Sequence, residues 1–136
     1  MTNQQREIIE QSWQYLVDNE SDPGMIFYNR LFEIAPSLRP LFKSDMKAQS
    51  HKVIESIAHV VQHLNDSEMV IYLRSLGAGH NKFKVKPVHY DFIEAAFLWT
   101  LQKVLGAKWN DDVKQAWTEL YTIIATEMKD AAEAAR

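Results

Sequence analysis

The sequence predicts an all-α fold of about seven helices packed around one pocket, in a single domain spanning residues 1–136. Two observations carry this. Apolar residues recur at helical spacing from end to end with little strand-like alternation. The four glycines and four prolines fall at the breaks between those segments.

The first helix is expected from about Asn3 to Asp18, with Ile8, Ile9, Trp13 and Leu16 on one face. Ser21-Asp22-Pro23 reads as the next start, a capping side chain before a proline that gives up only a dispensable N–H. This helix carries Phe27, Tyr28, Leu31 and Phe32 and ends near Pro36. Pro40, within Pro36 to Phe42, favours a tight turn or 3₁₀ piece. A longer helix follows from Met46 to Leu64, with Gln49, Val53, Ile57, Val60 and Leu64 on one side. Asn65-Asp66-Ser67 breaks it and caps a helix running to about His80. Lys86-Pro87 opens a helix that reaches Leu105 and stops at Gly106; its apolar face includes Phe92, Ile93, Ala96, Phe97, Leu101 and Val104. The last begins at Asn110-Asp111-Asp112, acids suited to a positive helix end, and carries Val113, Trp117, Leu120, Tyr121 and Ile124. Unequal helices with irregular connections suit packing around a pocket better than an up-down bundle.

Composition narrows the function classes. The chain has 136 residues, a net charge of −3 and no cysteine. A chain of this length buries roughly 70% of its unfolded surface, so it needs no disulfide or metal staple. Thiolate chemistry is excluded, and the absence of cysteine fits a reducing compartment. No long apolar run or secretory signal is present, and no basic stripe suggests nucleic acid. The expectation is a cytoplasmic protein with neither a membrane nor a nucleic-acid partner.

Among five histidines, His51, His59 and His63 share the third long helix. His59 and His63, four apart, face the same way, but no third ligand accompanies them, so a solvated face is expected. His89 is expected to be exposed. His80 ends a helix that is apolar at Leu73 and Leu76, with Gly77 and Gly79 leaving room for a flat group near the backbone. Neutral imidazole at such a place is the usual haem-iron ligand. For a histidine taken alone, an ordinary core or surface role is the commoner one.

The neighbouring motifs change that balance. Phe27-Tyr28-Asn29-Arg30-Leu31-Phe32, Pro36-Ser37-Leu38-Arg39-Pro40-Leu41-Phe42, Gln49-Ser50-His51-Lys52-Val53 and Gly79-His80-Asn81 occur in that order. Lys86-Pro87-Val88-His89-Tyr90, Val104-Leu105-Gly106, Asp111-Asp112 and Ala116-Trp117 follow them. Over nearly the whole chain this set resembles the bacterial single-domain haemoglobins and the haem domain of flavohaemoglobins.

The resemblance implies a globin fold holding haem b, iron protoporphyrin IX, with His80 as the iron ligand and Tyr90 as the proximal tyrosine. Tyr28 and Gln49 take the places of the distal tyrosine and glutamine, and Phe42 that of the phenylalanine wedging the haem. Val53 stands one turn beyond Gln49, over the ring. Leu76, Val85 and Ile93 complete the cofactor contacts, which in a globin coincide with core packing. Lys52 is a solvated residue or a propionate partner. His51, about 200° around the helix from Gln49, is a poor distal ligand. In the family a glutamate of the last helix supports the proximal histidine; here Ala132 occupies that place, beside Glu133, which tilts the reading from peroxidase-like chemistry toward gas binding.

The implied partners are diatomic gases: oxygen, nitric oxide and carbon monoxide. A gas that gains negative charge when held accepts hydrogen bonds from the Tyr28 phenol and the Gln49 amide. Each such bond contributes roughly 1.5–3 kcal/mol, so tight oxygen binding with slow release is expected. Three roles stay open: oxygen binding and transport, with or without nitric oxide detoxification to nitrate; a haem-based gas sensor; and a haem-free globin-fold interaction module. Turnover of nitric oxide would need a separate reductase, since these residues leave no room for a flavin or nicotinamide domain.

Overall fold

The computed structural model describes the chain except Lys43, Ser44, Asn65, residues 83–85, Pro87 and residues 135–136, and except the side chains of residues 78–82. Among the described residues there are six α-helices: α1 (Asn3–Asn19), α2 (Pro23–Ile34), α3 (Met46–Gln62), α4 (Ser67–Lys82), α5 (His89–Leu105) and α6 (Asp111–Ala134). A 3₁₀ segment, Pro36–Leu41, forms the seventh predicted piece, and a short one, Gly106–Lys108, joins α5 to α6.

Most boundaries follow from capping. Thr2 and Gln5 form a reciprocal capping box at α1. Asp22 accepts from the Met25 amide (3.2 Å) ahead of Pro23, and Asp45 accepts from the Lys47 amide (3.1 Å). The Asp66 carboxylate accepts from the Glu68 amide (2.7 Å), and the Asn110 side chain accepts from Val113 (2.9 Å). Gly106 ends α5 with φ +54°, backbone that side-chain-bearing residues adopt only with strain.

Helix α5 starts at His89 rather than at Lys86-Pro87. The His89 ring turns back and accepts from the Lys86 amide (3.0 Å), closing the turn in front of the helix. His89 is half-buried, not exposed as expected, and burial together with the Lys86 charge holds it below its ordinary pKa. His59 and His63 are also less solvated than their spacing suggests. The His59 ring lies 4.1 Å from the Tyr72 ring and 4.7 Å from His63.

Helix α6 packs along α4 and α1, whereas α2 packs on α5 and α3. Trp117, fully buried, pins α6 to α1 by donating to the Ser12 hydroxyl (2.8 Å). Two crossings are closer than a side chain allows. A Cβ on Gly77 would overlap the Met128 backbone of α6, so this glycine serves a helix crossing rather than the approach of a flat group. A Cβ on Gly24 would overlap the Ser50 backbone of α3. Gly24 lies one turn before Tyr28, and Ser50 adjoins Gln49, so this contact sets the spacing between Tyr28 and Gln49. Gly24→Ala is expected to cost about 1–3 kcal/mol, as overpacked sites do. A lowered urea midpoint, with helicity retained in native buffer, checks this.

Candidate haem pocket

A cavity of about 1090 Å³, lined mostly by apolar side chains, lies between α3 on one side and α4, α5 and α6 on the other. It is slightly larger than ordinary ligand pockets, which span roughly 300–1,000 Å³. Exposed Pro40, Lys52 and Ser75 line it as well, so it opens to solvent between the 3₁₀ segment, α3 and α4.

Eight of the residues singled out in the sequence line this cavity: Tyr28, Phe42, Gln49, Lys52, Val53, Leu76, Tyr90 and Ile93. His80 falls in α4, but its side chain lies outside the described residues, and Val85 lies outside them altogether. Among the described residues no histidine side chain lines the cavity. His51 points away, 76% exposed, with its Nε2 2.7 Å from the Glu55 carboxylate.

Tyr28 is held by aromatic contacts. Its ring meets Phe27 edge-on at 4.9 Å and Phe42 edge-on at 5.4 Å, and stacks near Phe32 at 5.9 Å. Such pairs fix ring orientation as well as burying area. The Gln49 Nε2 donates to the Tyr28 hydroxyl (3.3 Å), which leaves the phenol proton free to be donated to a third partner. Burial raises the Tyr28 pKa, only partly offset by the Gln49 bond, so the phenol keeps its proton at neutral pH.

On the opposite wall, the Tyr90 hydroxyl is buried and has no hydrogen-bond partner among the described residues. The Tyr121 hydroxyl donates to the Tyr90 carbonyl (2.6 Å), tying α6 to α5 beneath it. Helix α6 presents Lys129 to Tyr90, with Nζ 5.2 Å from the ring centroid. Ala132 is half-buried and Glu133 is exposed. Lys129 thus places a cation over the Tyr90 ring, which the sequence reading did not anticipate.

The sequence also missed Ile57, Phe97, Tyr121 and Met128 as lining residues. Ile57 was within reach, because it lies one turn beyond Val53 on the face that already carries Gln49. Tyr121 and Met128 come from α6, and only the tertiary crossing brings that helix to the cavity.

Burial raises the pKa of all three tyrosines, Tyr28, Tyr90 and Tyr121; for Tyr121 the charges of Glu94 and Asp91 add to the effect. Above about pH 10 an unfolded chain releases phenolic protons that the folded chain retains. Stability is therefore unaffected by these groups below pH 10 and falls as pH rises beyond it, by up to about 1.4 kcal/mol per pH unit for each tyrosine. A urea midpoint that drops from about pH 10 upward, and drops less in Tyr121→Phe, is the expected result.

The globin family model matches residues 26–128. An anaerobic nitrite reductase of Arabidopsis thaliana is 30% identical, with the alignment covering 94% of each chain. A neuroglobin of Tetraodon nigroviridis is 29% identical over 94% of this chain and 90% of its own. In structure, an engineered carbene transferase of Rhodothermus marinus superposes with TM-score 0.88 at 23% identity, covering 98% of this chain and 94% of its own. A bacterial globin from Campylobacter jejuni gives 0.84 at 23% identity, covering 98% and 97%. The family model spans the chain from α2 to α6, and the chain belongs to the globin family.

Proposed function

We propose that this globin holds haem b in the cavity, with His80 as the iron ligand, and binds oxygen tightly beside Tyr28 and Gln49. The buried Tyr28–Gln49 pair is the observation that carries the reading. The residues present fit the cofactor in three respects. The cavity is large and mostly apolar; its mouth carries the cationic Lys52; and the Tyr90 hydroxyl, buried in the cavity wall, has no hydrogen-bond partner among the described residues. Haem supplies an iron centre that binds diatomic gases.

The chain's own residues do the rest. Phe42 and Val53 shape the distal wall, and Leu76 and Ile93 line the cavity from α4 and α5. Gln49 donates to the Tyr28 oxygen and orients the phenol, whose protonated state makes it a donor toward a negatively charged gas. The apolar lining excludes water that would compete for those donors.

Nitric oxide dioxygenation to nitrate follows from the same donor pair when an external reductase supplies electrons. The fold is shared with a structure whose name includes a putative nitric oxide dioxygenase. Nitrite reduction is the second reading, favoured by the activity named in the plant relatives. Absorption spectra of purified protein in ferric, ferrous and carbon-monoxide-bound forms test the cofactor. A Soret band and a ferrous form open to carbon monoxide are expected; a protein that takes up no haem would overturn the reading. Mixing the oxygenated protein with nitric oxide, and the reduced protein with nitrite, separates the two activities.

A further inference from the structure

Trp13 stands between two hollows of the molecule. On one side it lines the large cavity, together with Leu16, Ile57 and Val60. On the other it lines a surface groove of about 320 Å³ between α1 and α3. Among the described residues, Trp13 alone lines both. Val17, Ala58 and Val61 form the apolar part of the groove, and exposed Glu10, Gln14 and Gln62 its polar part. The groove is not the mouth seen at Lys52. From Lys52 to Val61, α3 rises about 13 Å at roughly 1.5 Å per residue.

The partition is held by packing. Trp13 is 6% exposed, yet its indole N–H joins none of the hydrogen bonds among the described residues. A buried indole N–H ordinarily finds a partner. The neighbouring Trp117, whose ring centroid is 6.2 Å away, does so by donating to the Ser12 hydroxyl (2.8 Å). Trp117 is therefore tethered, whereas rotation of the Trp13 ring breaks no hydrogen bond.

We propose that Trp13 gates a second entrance, by which small uncharged gases reach the inner end of the cavity without passing Lys52. The proposal rests on the cavity being a haem pocket. The two openings differ in chemistry. Lys52 gives the mouth a positive charge that attracts anions, and Glu10 at the groove repels them. An uncharged gas feels neither charge, and the apolar part of the groove leads it to the indole. Oxygen, nitric oxide and carbon monoxide thus enter beside Trp13, whereas an anion such as nitrite enters at Lys52.

The test uses the haem-loaded protein. Carbon monoxide binding to the ferrous form is followed by flash photolysis, and azide, an anion, is mixed with the ferric form by stopped flow. Trp13→Phe makes the partition smaller and is expected to raise the carbon monoxide association rate about threefold or more. Adding Gln62→Trp, which covers the groove from an exposed position, should cancel that gain. Azide binding should stay within about twofold of wild type in both variants. A gain that survives Gln62→Trp, or that azide shares equally, means a cavity loosened as a whole and overturns the second entrance. So does a carbon monoxide rate that Trp13→Phe leaves unchanged. Should Trp13→Phe fail to fold, Gln62→Trp alone decides. A carbon monoxide rate lowered about twofold or more, with azide unmoved, supports the entrance; an unchanged rate overturns it. Wild-type protein that holds no haem overturns the functional reading itself, which the Soret band reports separately.

Discussion

His80→Gly is expected to abolish the Soret band of the purified protein, or to reduce its haem content at least tenfold, while the far-ultraviolet helix signal persists. The other histidines cannot take over. His51 is exposed and paired with Glu55, and His59 and His63 pack against Tyr72 and each other. The His89 ring closes the turn before α5. None of these four lines the cavity. Added imidazole should restore much of the band, since the free ring supplies the ligand that the substitution removes. Retained haem with an unchanged ferrous spectrum would show that His80 is not the ligand. The same variant is expected to melt at a lower temperature than the haem-loaded wild type, because a ligand bound only to the folded state stabilises it by mass action. It should melt close to wild-type protein stripped of haem. A much lower value would mean that position 80 is needed for packing in its own right.

The helices were legible because their boundaries rest on local chemistry: Asp22 before Pro23, Asp45 before Met46, Asn110 before Asp111, Gly106 after Leu105. The start of α5 was not, because His89 replaces the helix-opening role that Pro87 suggests. Side-chain hydrogen bonds of that kind depend on a ring orientation that no spacing rule encodes. That Tyr28, Gln49 and Val53 share one cavity was readable because Gln49 and Val53 are a helical turn apart and Tyr28 belongs to a family motif. Lys129 beside Tyr90 was not readable, since it requires the crossing of α6 with α5. Gly77 was misread for the same reason: a small residue near a presumed cofactor ligand invites a cofactor explanation, whereas the backbone of α6 occupies the space. Gly24 passed unnoticed as a helix-start glycine, yet it lets α2 and α3 approach closely enough for Tyr28 and Gln49 to meet.

Tyr28→Phe is expected to raise the oxygen dissociation rate by roughly ten- to a hundredfold. A hydrogen bond to a charged acceptor contributes about 1.5–3 kcal/mol, and each 1.4 kcal/mol corresponds to a factor of ten. Burial keeps the phenol protonated, so the loss should be the same at about pH 6 and pH 9. Carbon monoxide gains less negative charge when held, and its dissociation should change by less than about threefold. Gln49→Leu removes one donor directly and also the bond that orients the phenol, so the two substitutions should not add. Coupling of that kind is expected for residues in contact. In the double variant the rate should exceed either single one, but by less than the product of the two effects. An oxygen dissociation rate unmoved by Tyr28→Phe would exclude the phenol as a donor. The contacts with Phe27, Phe32 and Phe42 would then make Tyr28 a packing residue, with Gln49 left to hold the gas alone.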